Sequence, residues 1–251
     1  HLADGVQVVY STSPLVVIMA DLGKVDPASI KAASEAVAAS RAALEALRAA
    51  RDANTAPKRP SEGELRALDA SIKKNTALAK KLRALSEDNT AALIDECGKT
   101  NQAKYVTEVV TAIAEATLKP SDVPAAVRLC SFLHQRYADF AEALGPALTR
   151  SFTTVGKPAG TAEEERAFSR RRRGTLRLAG EAAVAGVTTA PGAGGVQQLA
   201  AMLQELATIK WAKDKDGFAG ALALAATLAK SPVREALLGL PPVPPSPAML
   251  Q

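Results

Sequence analysis

An all-α fold, an irregular α-solenoid of antiparallel helix pairs, is what this sequence predicts, and three observations carry the prediction. The apolar residues are mainly Ala, Leu and Val, and aromatics make up 4% of the 251 residues. Alanine loses no side-chain entropy in a helix, so such a chain favours helix over strand. After Lys24 no stretch alternates convincingly between apolar and polar residues. Breakers cut the same region into helix-length segments with short joins, the pattern of stacked helix pairs. No strict period accompanies them, so the repeats are irregular.

Residues 1–25 stand apart as an unassigned N-terminal tail. Val6, Val8, Val9 and Tyr10, then Leu15 to Met19, are β-prone runs broken by Pro14. Asp26 and Pro27 open a helix over 26–53, a cap residue followed by proline at the first helical position. Residues 54–63, with Pro57 and Pro60, read as a linker. Residues 64–240 read as a helical-repeat domain, and 241–251 as a proline-rich extended linker.

Within the domain, Ser61 and Glu64 form a capping box for a helix over 64–85. Its apolar side holds Leu65, Leu68, Ile72, Leu78, Ala79, Leu82 and Leu85. Asn75 lies among them, which is unfavourable unless its amide is bonded, so it is expected to be satisfied and to hold a neighbouring turn. Lys73, Lys74, Lys80 and Lys81 gather opposite. A solvated lysine face is preferred there over a nucleic-acid patch. Further helices are expected at about 87–97, 101–117, 121–137, 139–151, 162–187, 195–212 and 216–230. The breakers are Gly98, Lys119 with Pro120, Gly145 with Pro146, residues 155–161, residues 190–195 and Pro232.

Composition narrows the function classes. The balance of 31 Lys+Arg against 26 Asp+Glu suits acidic partners but is too small to establish nucleic-acid binding. Cys97 and Cys130 are the only thiols, which gives no disulfide framework and no zinc set and favours a reducing compartment, cytosol or nucleus. No apolar run approaches the roughly 18 residues of a membrane span. No Lys or Arg precedes Lys24, so the start does not read as a signal peptide. "GAGG" at 192–195 lacks the Lys and hydroxyl residue of a phosphate loop. No cofactor, metal or small-molecule substrate is expected.

The stretch "VRLCSFLHQRYADFAEAL" poses the main chemical question. Cys130, His134 and Tyr137 fall in one helical row, a spacing compatible with a thiol–imidazole nucleophile. The row lies in an apolar arc, and no Asn, Asp or Glu there could orient the imidazole. Interior packing is therefore preferred over a Cys/His hydrolase. Phe132 points to the polar side and calls for a covering layer or marks a contact surface. Asp139 with Glu142 reads as a capping box restarting the chain, and Arg136, Tyr137 and Asp139 are expected to fix that corner by hydrogen bonds and charge pairing. Arg170, Arg171, Arg172 and Arg173, preceded by Glu163 to Glu165, form the densest basic run. A solvated, self-paired face is preferred there, with sequence-independent, salt-sensitive RNA contact as the alternative. Trp211 reads as a core anchor.

"LDASIKKNTALAKKLRAL" (68–85), "KYVTEVVTAIAEATLKPSDVPAAVRLCSFLHQRYADFA" (104–141) and, more loosely, "RRRRGTLRLAGEAAVAGV" (170–187) resemble a known family. They are similar, in the same order, to the first middle-type domain of the regulator of nonsense transcripts 2 family. That superfamily is named for the middle domain of eukaryotic initiation factor 4G. The similarity is strong from about Leu65 to Phe152, weaker from Glu163 to Leu240, and absent before about Ser61. It implies a HEAT/armadillo-type helical domain that acts as a scaffold without an active site in nonsense-mediated mRNA decay. It implies protein partners of the surveillance complex, no membrane, and a cytoplasmic, perinuclear or nuclear place. Family members carry three such domains, and bind the third up-frameshift protein and the surveillance helicase through regions after the first. This chain holds one domain and is expected to be a piece, with neither region present. The runner-up is a translation-initiation-type adaptor binding RNA or a helicase directly. The "HQRYADF" corner favours the surveillance branch.

Overall fold

The computed structural model describes residues 27–153, 161–188, 195–208, 215–229, 231–234 and 236. The N-terminal tail, Trp211 and the proline-rich end lie outside the described residues. Ten helices are described: α1 (Pro27–Thr55), α2 (Glu62–Arg66), α3 (Ile72–Leu82), α4 (Glu87–Lys99), α5 (Val106–Glu115), α6 (Val123–His134), α7 (Asp139–Thr153), α8 (Ala162–Val184), α9 (Gly195–Thr208) and α10 (Lys215–Ala229). Among the described residues there is no strand, only an isolated bridge between Asp69 and Thr100. No described helix is long and apolar enough to cross a membrane.

The chain divides into two compact units. The smaller comprises residues 1–39 and 243–251, of which the described part is the first half of α1. That half is mostly exposed, with a Lys31–Glu35 pair one turn apart at 3.9 Å. The larger unit spans residues 40–242. Within it, helix contacts skip by two. α3 packs on α5, α5 on α7 and α7 on α9, while α4 packs on α6, α6 on α8 and α8 on α10. Cross-contacts join α3 to α4, α6 to α7, α7 to α8, α8 to α9 and α9 to α10. Two layers of stacked helices joined in pairs are the expected solenoid. Each inner helix has neighbours on several sides, so its burial exceeds one stripe. On α5, Val106, Val109, Val110, Ala112, Ile113 and Ala114 are all buried.

The expected helix over 64–85 is two helices. The Ser61–Glu64 capping box forms, with Ser61 N donating to Glu64 Oε2 at 2.7 Å and Glu64 N to Ser61 Oγ at 3.3 Å. The helix it starts ends at Arg66. The backbone of Asp69 then turns aside to exchange bonds with the end of α4: Asp69 N donates to Lys99 O at 3.4 Å, and Asn101 N to Asp69 O at 2.9 Å. Asp69 Oδ1 accepts Ser71 N at 2.8 Å, and α3 begins at Ile72. Asp and Ser side chains compete with the helix for backbone groups in this way. The apolar spacing runs across the break and hides it, and Ile72, placed on the apolar side by that spacing, is 71% exposed.

Other boundaries shift for similar reasons. Residues 101–105 form a turn rather than the start of a helix, with Asn101 Oδ1 accepting Ala103 N at 2.9 Å and Tyr105 N donating to Gln102 O at 2.7 Å. Gly98 and the Gly145–Pro146 pair do not break helices; they lie inside α4 and α7. The ring of Phe132 lies 3.7 Å from where a Cβ on Gly98 would sit, so α4 is the layer that covers it. A Cβ on Gly174 would fall 2.7 Å from the Leu118 carbonyl oxygen, so only glycine lets α8 pass the loop after α5. α8 closes at Gly186 (φ 75°) in a Schellman motif, with Val187 N donating to Ala182 O at 3.0 Å and Gly186 N to Ala183 O at 3.1 Å.

Candidate functional site

The thiol–imidazole row is interior. α6 is held between α4 and α8 and against α7, and this leaves Cys130 at 0%, His134 at 2% and Tyr137 at 5% exposure. Burial pushes the Cys130 thiol up to about 12, and Cys97 likewise to about 12. A thiol with that pKa is neutral at physiological pH, and the thiolate is the nucleophile. His134 Nε2 lies 3.1 Å from the Asn54 carbonyl oxygen, which can only accept, so Nε2 carries the proton. Desolvation holds the imidazole pKa below its usual value, with the Asn54 bond opposing. Nδ1 is buried without a partner.

Asn54, placed by its sequence in a linker, is the centre of this polar cluster. It is the penultimate residue of α1 and 2% exposed. Its Nδ2 donates to Ser131 Oγ at 3.0 Å and to the Ala185 carbonyl at 2.8 Å. Its Oδ1 accepts from Gln135 Nε2 at 2.9 Å. One amide thus ties α1 to α6 and to the C-terminal cap of α8. Ser131 on α6 is buried because this knot covers it. The signal that could have found Asn54 is an asparagine near the end of an amphipathic helix, but nothing local names its partners 77 and 131 residues away.

The "HQRYADF" corner is fixed differently from expectation. Tyr137 Oη accepts from Gln102 N at 3.0 Å and donates to Gln102 Oε1 at 3.0 Å, so the corner is bolted to the turn after α4. The Arg136 guanidinium stacks over Phe132, 5.3 Å from the ring centroid. Asp139 is exposed and is the first residue of α7 rather than its cap. Among the described residues no bond joins its side chain to Arg136 or Tyr137. Asn75 is half satisfied: its Nδ2 donates to Ser71 O at 3.2 Å, holding the first turn of α3, while Oδ1 is buried without a partner.

The basic residues divide into paired, buried and open groups. Lys74 pairs with Asp69 at 2.6 Å, and Lys81 with Glu96 at 2.7 Å. The Lys74 bond and the Ser71 N–H hold the Asp69 carboxyl well below the usual carboxylate range. Lys73 and Lys80 are exposed, without an ion pair among the described residues. The arginine run is not one face. Consecutive helical residues sit about 100° apart, so four of them surround the helix. Arg170 and Arg173 are exposed and Arg171 half-buried, but Arg172 points into the core at 2% exposure. Arg172 stacks 4.1 Å from the Phe152 centroid and 5.5 Å from that of Phe168, and pairs with Glu205 at 3.2 Å. Burial lowers the Arg172 pKa and raises that of Glu205, each opposed by the partner's charge. Arg172 is therefore removed from the contact surface predicted for it.

A cleft of about 250 Å³ opens between α5, α7 and α8. Thr111, Ala114 and Glu115 line it from α5, Ala147, Arg150 and Ser151 from α7, and Arg171 from α8. No sequence pattern marks it, because its residues come from three helices and only the stacking brings them together. Among the described residues no group of three His, Cys, Asp or Glu is placed to hold a metal ion.

Residues 72–191 match the model of the MIF4G domain. The chain is 37% identical over 186 residues to the regulator of nonsense transcripts UPF2 of Arabidopsis thaliana, an alignment covering 74% of this chain and 15% of that protein. It is 50% identical over 86 residues to the human regulator of nonsense transcripts 2, covering 34% of this chain and 7% of that protein. The chain thus spans a minor part of the length of these relatives. The crystal structure of the first MIF4G domain of the human nonsense mediated decay factor UPF2 superposes with a TM-score of 0.67 at 28% identity, covering 81% of this chain and 64% of that one. The two-layer helical stack, the sequence match and the superposition agree that this chain carries a MIF4G domain, matched at residues 72–191.

Proposed function

We propose that this chain is a non-catalytic scaffold module of nonsense-mediated mRNA decay, on whose stacked helices protein partners of the surveillance complex assemble. The observation that carries the reading is the superposition on a MIF4G domain of a decay factor, at 0.67 over 81% of the chain. The chemistry supports it: the thiol and imidazole that could have made a nucleophile are sealed in the core, and a polar knot there serves packing. The reading places the chain in the cytoplasm, at the nuclear periphery or in the nucleus. The translation-type adaptor that touches RNA is the second reading. It is favoured by Lys73, Lys80, Arg170 and Arg173, which are exposed and free of ion pairs among the described residues. Such contacts would be sequence-independent and weaken with salt.

The test is recovery of partners from nuclear and cytosolic extracts on the tagged chain, with and without ribonuclease. The scaffold reading expects surveillance proteins to remain after ribonuclease treatment. Their complete loss on RNA digestion, together with loss of RNA on Glu substitution at the four open basic positions, would transfer the assignment to the adaptor. Recovery of no decay factor under either condition would defeat the scaffold reading.

A further inference from the structure

The cleft between α5, α7 and α8 is a mostly apolar opening with two arginines among its lining residues. From α8, Arg171 Nη2 donates to Ser151 Oγ at 3.1 Å, and Ser151 in turn donates to the Ala114 carbonyl at 2.6 Å. Two bonds in series thus set the attitude of the guanidinium. Its Nε is shut from solvent and has no acceptor. A buried donor without an acceptor is destabilising, and Arg136 Nε and Arg234 Nε share that state, so what singles out the cleft is Arg150 beside Arg171 at one opening. Arg150, beside Ser151 on α7, is exposed and has no ion pair among the described residues. Arg150 and Arg171 line one opening, and the donors they can offer a carboxylate there are Nη groups, since Arg171 Nε is shut away from solvent.

Size and walls narrow the occupant. The cleft, about 250 Å³, is smaller than the roughly 300–1,000 Å³ of small-molecule sites, so it admits a side chain or two rather than a cofactor. Ala114 and Ala147 make its floor small and apolar. Glu115, held by Arg83 at 2.8 Å, sets an acidic group at the same rim. A strand of phosphates would meet that carboxylate; a single carboxylate seated on the arginines would not need to. We infer that this cleft docks an acidic segment of a partner protein, one Asp or Glu carboxylate on Arg171 and Arg150 and a small apolar neighbour on Ala114 and Ala147. The inference deepens the scaffold reading and rests on it for the partner being a protein. Its test uses only the purified chain, so either can fail alone.

Random heptapeptides displayed on phage are selected on the immobilised full chain, and the enriched sequences are synthesised and titrated by fluorescence anisotropy. Peptides carrying Asp or Glu beside a small apolar residue are expected to emerge. Arg171→Gln and Arg150→Gln should each weaken them about tenfold or more, the size of one charge-assisted hydrogen bond. Lys104→Gln, exposed and outside the cleft, should leave affinity unchanged. Arg150 is exposed, so its variant keeps the test sound even if Arg171→Gln alters folding. Enrichment of peptides without carboxylates overturns the inference, as does binding indifferent to both cleft substitutions. A uridine dodecamer whose binding falls with those substitutions, while no peptide's does, also overturns it and gives the cleft to RNA.

Discussion

The Asn54 knot and the Arg171 cleft both lie where three helices meet, and their polar side chains are finished in different ways. In the knot every hydrogen-bonding atom of the Asn54 side chain has a partner from this chain, and the amide is 2% exposed. In the cleft a guanidinium is aligned by Ser151, yet Arg171 Nε lacks an acceptor and Arg150 beside it faces solvent. A satisfied buried amide specifies one arrangement of the helices it joins, even with His134 Nδ1 beside it left without a partner, whereas a partly satisfied group is held at a cost. The difference separates a site built for folding from a site built to receive something.

The largest test of that contrast removes the knot's amide. Asn54→Ala leaves the Ala185 carbonyl, Ser131 Oγ and Gln135 Nε2 each without its bond from α1. With about 1–3 kcal/mol for a stranded buried group, and some rescue by water, a loss of about 3 kcal/mol is expected in urea denaturation. α1 should also lose protection in hydrogen exchange before α6 does, because its far end is released. A loss under about 1 kcal/mol would mean that the knot is ornamental and that the contrast with the cleft is empty.

What could be seen in advance follows the same line. The helical stack was legible because alanine content and breakers act locally. The burial of Cys130 and His134 was legible because one helical wheel contains it. Where two distant segments decide the outcome, the sequence misled. Asn54 looks like linker because its partners lie on α6 and past α8. Asp69 looks like mid-helix because its competitor for backbone bonds is Asn101. Arg172 looks like surface because the run reads as charge, while Phe152 and Phe168 are what receive it. The cleft was not legible at all, since no two of its three walls are adjacent in a sequence motif.

An intermediate effect comes from pH, through the knot's one titratable member. Desolvation sets the folded pKa of His134 below the usual imidazole value of about 6.5. As pH falls through 6.5, the unfolded chain takes up a proton that the folded chain refuses, so stability is full above that value and declines below it. The slope for one group cannot exceed about 1.4 kcal/mol per pH unit. Between pH 7 and pH 5.5 stability is expected to fall, by no more than about 1.2 kcal/mol for this one group. His134→Gln, whose amide can still donate to the Asn54 carbonyl, should flatten the slope in that window. An unchanged slope would place the acid sensitivity outside the knot.

The smallest effect on stability should come from the cleft, and its smallness is the point. Arg171→Met keeps the aliphatic stem against α5 and α7 and deletes the guanidinium. It loses the bond to Ser151, but Ser151 keeps its own bond to Ala114, and the stranded Nε disappears with the charge. Replacing an imperfectly paired polar group by an apolar one of similar length is close to neutral. Urea midpoints should therefore move by no more than the equivalent of about 0.5 kcal/mol in either direction. A destabilisation above about 1.5 kcal/mol would show that Arg171 holds the helices together as Asn54 does. The two sites would then be one kind of site, and the reason for expecting an external carboxylate would be gone.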